Sequence, residues 1–283
     1  MKNGALVFLA VFVALGLSWC GFVLAPTRQL GGAKQTTVLN SSDLYPLGRP
    51  GEANLGLQVY RANGCAACHT EQVRQTGVAC DVVITDAGAK EGAVLAALKR
   101  IRAKSLKNED RIDNLLPNSK VPRMPVWDVS KQVADAAIEA LTAAGAKAEI
   151  HIVAMGPDIA RGWAMRQSVA EDFLYDYPVQ PGNLRAGPDL ANIGVRDPDA
   201  NWQLVHLYAP ASEVKGSTMP PFRYLFTVRK IGGTPSPDAL LFPKGFGPPA
   251  GCEVVPKPEA KELAAYLLSL RANVPLYSAP FTP

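Results

Sequence analysis

Residues 65–69 read Cys-Ala-Ala-Cys-His, and this short run narrows what the chain can become more than any other. Two cysteines separated by two residues, with histidine directly after, is the spacing at which a haem is attached covalently. The thiols of Cys65 and Cys68 become thioethers to the macrocycle, and the imidazole of His69 binds its iron. A fold built on such a motif has to wrap an apolar ring. It also has to bring a second side chain to the other face of the iron. A structural zinc site would instead need a fourth ligand, for which His151 or His206 would have to serve. The apolar N-terminus and the helical pattern around the motif fit haem better.

That N-terminus runs from Gly4 to Pro26 without a charged residue. About 20 such residues suffice to cross a hydrocarbon core roughly 30 Å thick. A cleaved signal peptide would carry a shorter apolar run and a small-residue cleavage site. Here Trp19 stands where a lipoprotein site would need a small residue, so a retained transmembrane helix is expected. One charge on each side, Lys2 and Arg28, barely constrains its orientation. Covalent haem attachment takes place outside the bacterial inner membrane, so the bulk of the chain is expected in the periplasm, anchored by a single pass. The net charge of +4 over 283 residues, without a basic run, argues against a nucleic-acid partner.

With Cys20 in the membrane and Cys65 and Cys68 on haem, Cys80 and Cys252 remain. In an oxidising compartment these are expected to form a disulfide, the alternative being two buried thiols. The chain is otherwise read as mainly α: a transmembrane anchor (1–27) and a class I cytochrome c-like domain in two parts (28–79 and 158–272). A small α/β insertion (80–157) interrupts that domain, and a tail (273–283) follows it. Residues 28–50 read as a linker. "ANLGLQVYRANG" and "KPEAKELAAYLLSLRA" read as the two packed helices that frame a haem. In the insertion, "DVVIT" and "KAEIHIV" read as strands, while "AKEGAVLAALKRIRAKS", "KNEDRIDNLL" and "VADAAIEALTAAGA" read as helices.

For the second iron ligand the chain offers Met124, Met155, Met165, Met219, His151 and His206. Met219 is favoured, because "GSTMPPFRYLF" holds it in a loop stiffened by Pro220 and Pro221, with Phe222 and Tyr224 nearby to cover a haem edge. His206 reads as a packed or propionate-side histidine. In "LRAGPDL", Pro188 belongs to a tight turn that can shield the ring, and Arg185 and Arg74 are candidate partners for the haem propionates.

Together the haem motif with Arg74, "YDYPVQPGNLRAGPDLANIG" and "STMPPFRYL" resemble the mono-haem cytochrome c subunit, subunit II, of cbb3-type haem–copper oxidases. The inserted segment weakly resembles the C-terminal domain of the ribosomal stalk protein. Glu71, Tyr177 and Pro181 stand where the oxidase family commonly has Gln, His and Trp. The resemblance implies one covalently bound haem c with His69 and Met219 as metal ligands. It also implies partnership with a catalytic haem–copper subunit and a further c-type cytochrome subunit or donor. With both iron positions filled, one-electron transfer is the remaining chemistry, so no catalytic residue is assigned. A free-standing membrane-anchored shuttle, or a sensor or peroxidase with an open iron face, are the alternatives.

Overall fold

The computed structural model describes residues 3–32, 34–38, 41–104, 111–112 and 123–276. It divides into two units, Met1–Gly48 with Val169–Val179, and Arg49–Ser168 with Gln180–Pro283.

In the first unit, α1 (Gly4–Trp19) continues through a π-helical turn (Cys20–Leu24) into α2 (Ala25–Gly31). Gly4–Gln29 forms 26 residues of helix, within which an 18-residue stretch has mean hydropathy 2.4. At about 1.5 Å per residue this rod is roughly 39 Å long, enough to cross a membrane. Its apolar side chains are exposed all round, so the helix has no packed face in the protein itself. The expected linker holds a small antiparallel pair, β1 (Thr36–Thr37) with β2 (Leu44–Tyr45). From β2, the Tyr45 hydroxyl donates to Asp172 Oδ1 at 2.7 Å.

The second unit opens with α3 (Gly51–Ala62), which starts after Pro50 and carries Glu52 in its first turn. Ala53, Gly56, Leu57 and Tyr60 recur at helical spacing and are its buried face. Next come β3 (Gly77–Asp86), α4 (Glu91–Lys104), β4 (Arg111–Ile112), β5 (Arg123–Val129), α5 (Lys131–Ala143) and β6 (Lys147–Met155). After them follow α6 (Pro157–Ala160), α7 (Ile193–Arg196), α8 (Ala200–Tyr208) and α9 (Pro210–Glu213). A hairpin of β7 (Phe226–Lys230) and β8 (Cys252–Pro256) then leads to α10 (Pro258–Ser269).

α10 begins with Pro258 and Glu259 in its first turn, where a missing N–H is harmless and an acidic side chain favours the positive helix end. It buries Leu263, Tyr266 and Leu267 against α3. The helices cross at Gly56, where a β-carbon would overlap the Glu262 carbonyl and lie 2.8 Å from Tyr266 Cβ. Glycine at this position is what lets the two backbones approach. The rings of Tyr60 and Tyr266 pack at 5.2 Å between them.

β3 to β6 form a four-stranded antiparallel sheet in the order β4-β5-β3-β6. The β-α-β-β-α-β succession with that order is a ferredoxin-like split arrangement. Cys80, Val82 and Ile84 alternate along β3 and pack with Val94 and Leu98 of α4 and Leu141 of α5. Ser130 caps α5 by accepting from Val133 N, and Gly145 ends it with φ +91. This hydrophobic cluster is separate from the one around α3, α8 and α10.

Several expectations need correction. The chain is mixed in helix and strand rather than mainly α, because the four-stranded sheet and the β7–β8 hairpin add strands to the helices. Of the helix read over "KNEDRIDNLL", Arg111 and Ile112 are strand, and the other residues lie outside those described. The Cys80–Cys252 disulfide is not formed. Cys80 is fully buried in the core between sheet and helices, whereas Cys252 is paired with Lys230 in the hairpin.

The hairpin is held by Glu253, which accepts from Arg229 Nε at 2.7 Å and from Ser236 N at 2.6 Å. The backbone hydrogen bond from Ser236, then the one from Arg229, holds its carboxyl below the usual value. A carboxyl depressed by folding stabilises the protein above its unfolded value, near 4.5, and loses that contribution as the pH falls through its folded value. Glu253→Gln is therefore expected to lower the melting temperature at neutral pH and to flatten its decline between neutrality and strong acid. Thermal melts across that range measure both effects.

Candidate functional site

Beyond α3 the chain makes a left-handed step at Gly64, φ +66, into a 3-10 turn, Cys65–Ala67. This delivers Cys65, Cys68 and His69 to one side of the helical core. Burial pushes the Cys65 thiol up to about 12, which keeps it protonated.

Residues 180–190 pass alongside this turn. Gly187 N donates to Cys68 O at 3.0 Å, Leu190 N to Thr70 O at 2.7 Å and Glu71 N to Pro181 O at 3.1 Å. His69 Nδ1 lies 2.8 Å from Pro188 O. A carbonyl only accepts, so Nδ1 carries the proton, and Nε2 keeps its lone pair for a metal. Burial lowers the imidazole's basicity, against the opposing hydrogen bond to Pro188, so the ring is held neutral. Two glycines permit the approach. At Gly187 a β-carbon would collide with the His69 ring, and at Gly182, φ +73, it would overlap His69 O.

Asp189 fixes the segment in place. Fully buried, it accepts from Thr70 Oγ1 at 2.5 Å and from the backbone N–H groups of Gln72 and Ala191 at 2.9 Å. A buried carboxylate with three donors on it is a rigid post, and it stands next to the carbonyl that orients His69.

Met219 arrives from the other direction. Its loop is tied at both ends, with Ser217 N on Val214 O at 3.0 Å and Phe222 N on Leu207 O at 2.8 Å. The Tyr224 hydroxyl bonds Asn63 at the end of α3, and Lys257 Nζ donates to Tyr224 O at 2.7 Å.

Cys65, Cys68, His69, Pro188 and Met219 all line one cavity of about 720 Å³. Leu190, Ile193, Leu207, Leu263 and Leu267 supply much of its apolar wall. The volume, the apolar wall, the pre-oriented imidazole and the paired thiols at the mouth suit a haem. His206 also lines the cavity, with its ring stacked on Trp202 at 4.9 Å, and burial pushes it down to about 4. Met155 and Met165 are exposed and do not line the cavity, and Met124 falls on β5. Among the described residues, no three His, Cys, Asp or Glu side chains assemble as a metal cage.

Arg74 and Arg185 are not brought to the cavity. Arg74 is exposed, and its backbone N–H donates to Asp158 Oδ2 at 2.8 Å. Arg185 Nη1 lies 2.7 Å from both oxygens of buried Asp158, and Nη2 donates to Gln72 O at 2.6 Å. Its guanidinium also lies 5.3 Å from the Trp163 ring. This pair joins α6, just after the sheet, to the loop that holds His69. The aromatic pair Phe222 and Tyr224 lies outside the cavity lining as well.

Sequence reasoning gave no role to Arg196, Tyr60 or Asp189. Arg196 and Tyr60 line the cavity, and Arg196 leaves a buried polar atom, Nη1, without a hydrogen-bond partner. Burial, followed by the nearby Glu71 carboxylate, holds the Tyr60 hydroxyl protonated. Glu71 is itself buried and accepts from the Tyr266 hydroxyl at 2.9 and 3.0 Å. Arg49 stacks on that ring at 4.9 Å.

Residues 154–235 match the family described as cytochrome c oxidase, mono-heme subunit/FixO. The match spans Arg185, Pro188, Arg196, His206 and Met219, and it supports the resemblance to subunit II of cbb3-type oxidases. The family implies a haem cofactor, a role in electron transfer and association with other oxidase subunits. No curated protein matches the chain.

Proposed function

We propose that the chain is the mono-haem electron-transfer subunit of a cbb3-type terminal oxidase. Gly4–Gln29 anchors it in the inner membrane, and its haem-bearing part faces the periplasm. The single observation that carries this reading is the convergence of Cys65, Cys68, His69, Pro188 and Met219 on one apolar cavity. The site belongs to a chain whose residues 154–235 match an oxidase mono-haem subunit family.

Cys65 and Cys68 hold haem c covalently, and His69 ligates its iron through Nε2, with Nδ1 committed to Pro188 O. Met219 would supply the iron's second ligand, and Pro188 would help enclose the ring, since both line the same cavity. When bound, haem supplies one-electron exchange between Fe(II) and Fe(III), at a potential that methionine ligation raises. The protein's part is to keep water out with the leucine-lined wall and to hold both ligands on anchored backbone, so that little moves as the charge changes. The residues of β3 to β6 form an inserted module within the cytochrome domain. Supporting this, the family match begins at residue 154, where the last strand of the sheet ends.

Purification from native membranes tests the assignment. Co-purification with a large haem–copper subunit is expected, whereas isolation of the chain alone in active membranes points to a free-standing shuttle. Replacing both Cys65 and Cys68 with alanine is expected to abolish haem staining after denaturing electrophoresis. Haem that survives denaturation in that variant overturns the attachment. Carbon monoxide should not bind the reduced wild-type protein, and binding would point to an open iron face.

A further inference from the structure

Neither Arg74 nor Arg185 lines the cavity, whereas Arg196 and His206 do. Two buried nitrogens on its wall, Arg196 Nη1 and His206 Nδ1, have no hydrogen-bond partner in the protein. Leaving a donor buried and unpaired costs about 1–3 kcal/mol, and more for a charged group. Both atoms therefore call for a partner from within the cavity.

Each side chain is braced so that its free atom is held in place. Arg196 closes α7, where Nη2 donates to Asp189 O at 3.0 Å and Nε lies 3.6 Å from Asp197 Oδ2. Burial lowers the basicity of Arg196, and Asp197 and then Asp189 oppose that effect, so the guanidinium stays charged. His206 sits on α8, whose first turn is capped by Asp199, and its plane is fixed by Trp202 with an interplanar angle of 8°. Of the other charged groups on the wall, Asp197 is already paired with Arg196, while Glu213 and Lys215 follow in α9 and the Met219 loop.

We propose that Arg196 receives a haem propionate through Nη1 as a charge-assisted donor, and that His206 adopts the tautomer whose Nδ1–H donates to a propionate. This deepens the haem reading and rests on it. The chemistry points to a carboxylate: a buried guanidinium with one unpaired N–H on the cavity wall suits an anion and suits no other part of the haem, whose remaining surface is apolar. Arg196 Nη2 ties the guanidinium to the carbonyl of Asp189, the same residue whose carboxylate fixes the Pro188 turn against His69. Arg196 and His206 are thus positioning residues that set the charge felt at the iron, acting through the propionate.

The test compares wild-type holoprotein with Arg196→Gln, Arg196→Lys and His206→Phe. Haem staining after denaturation comes first, and its absence in the wild type would sink the haem reading itself. With haem attached, redox titrations across pH and infrared redox difference spectra, with the propionate carboxyls isotope-labelled, read the inference. Loss of the Arg196 charge stabilises ferric haem, so the midpoint potential of Arg196→Gln falls. A freed propionate binds protons more readily, so that potential also declines more steeply with rising pH. The labelled carboxylate band shifts in Arg196→Gln and in His206→Phe, and Arg196→Lys restores part of the potential. If Arg196→Gln accumulates poorly, Arg196→Lys and His206→Phe carry the same infrared readout. A band and potential left at wild-type positions in these variants, or a band that moves only in Arg74→Gln or Arg185→Gln, overturns the inference.

Discussion

Met219→Ala is expected to keep its haem and lose its function. In the proposed site, thioethers at Cys65 and Cys68 would hold the macrocycle whatever replaces Met219, so haem content should match the wild type. The sulfur-to-iron absorption band of the ferric form should vanish, and the reduced protein should begin to bind carbon monoxide. The midpoint potential should fall by a substantial part of the ~0.8 V that axial ligation controls. The neighbourhood leaves little room for a substitute. Met155 and Met165 do not line the cavity, and the Met219 loop is tied at Val214 and Leu207. His206 does line it, so a band that survives in Met219→Ala, or a bis-histidine spectrum in the wild type, removes Met219 as ligand. The stability loss from truncation should be modest, about 1–2 kcal/mol, because Met219 is half-buried and a fully buried methionine loses roughly 2–5.

Gly187→Ala is expected to do more damage with a smaller change. The added β-carbon would lie 2.7 Å from His69 Nδ1 and 2.9 Å from Nε2, inside any tolerated contact. Neither neighbour yields cheaply. The ring is held by Pro188 O at 2.8 Å, and the Gly187 backbone is held by Cys68 O at 3.0 Å. Either the turn lifts and breaks both bonds, or the imidazole rotates off the iron. Overpacking a close-packed site costs about 1–3 kcal/mol, and rigid partners on both sides put this variant at or above the top of that range. Holoprotein yield, melting temperature and the spin state of the ferric haem measure the outcome. A low-spin spectrum at wild-type yield would show that the turn and the ring are not in contact as described.

The site was legible in the sequence wherever the chemistry is local. Cys65, Cys68 and His69 are singled out by spacing alone and Met219 by the two prolines that follow it, and all four line the one cavity. The helices α3 and α10 could be read because their apolar residues recur at helical steps, with Pro258 and Glu259 marking the start of the second. The β7–β8 hairpin was hidden, since its strands are separated by a long stretch rich in glycine and proline, and pairing at that distance leaves no local signature. The Cys80–Cys252 bridge failed for a related reason: a cysteine count carries no distance, and Cys80 belongs to the core of the sheet. Arg196 was invisible because nothing in "GVRDPDAN" separates a buried guanidinium from a solvated one.

By itself, then, the sequence pointed to a haem, to Cys65, Cys68, His69 and Met219 as the residues proposed to hold it, and to the apolar helix. Each of these depends on residues adjacent in the chain or on a composition that physics reads directly. Only the tertiary structure decided which arginine meets the cavity. Arg185 is drawn to Asp158, a carboxylate 27 positions away that is buried and must be neutralised. Arg196 is left with one nitrogen unpaired at the cavity wall. The physical reason is that a charge's role is set by what else is buried beside it. Burial is a property of the packed chain, and no local stretch of sequence contains it.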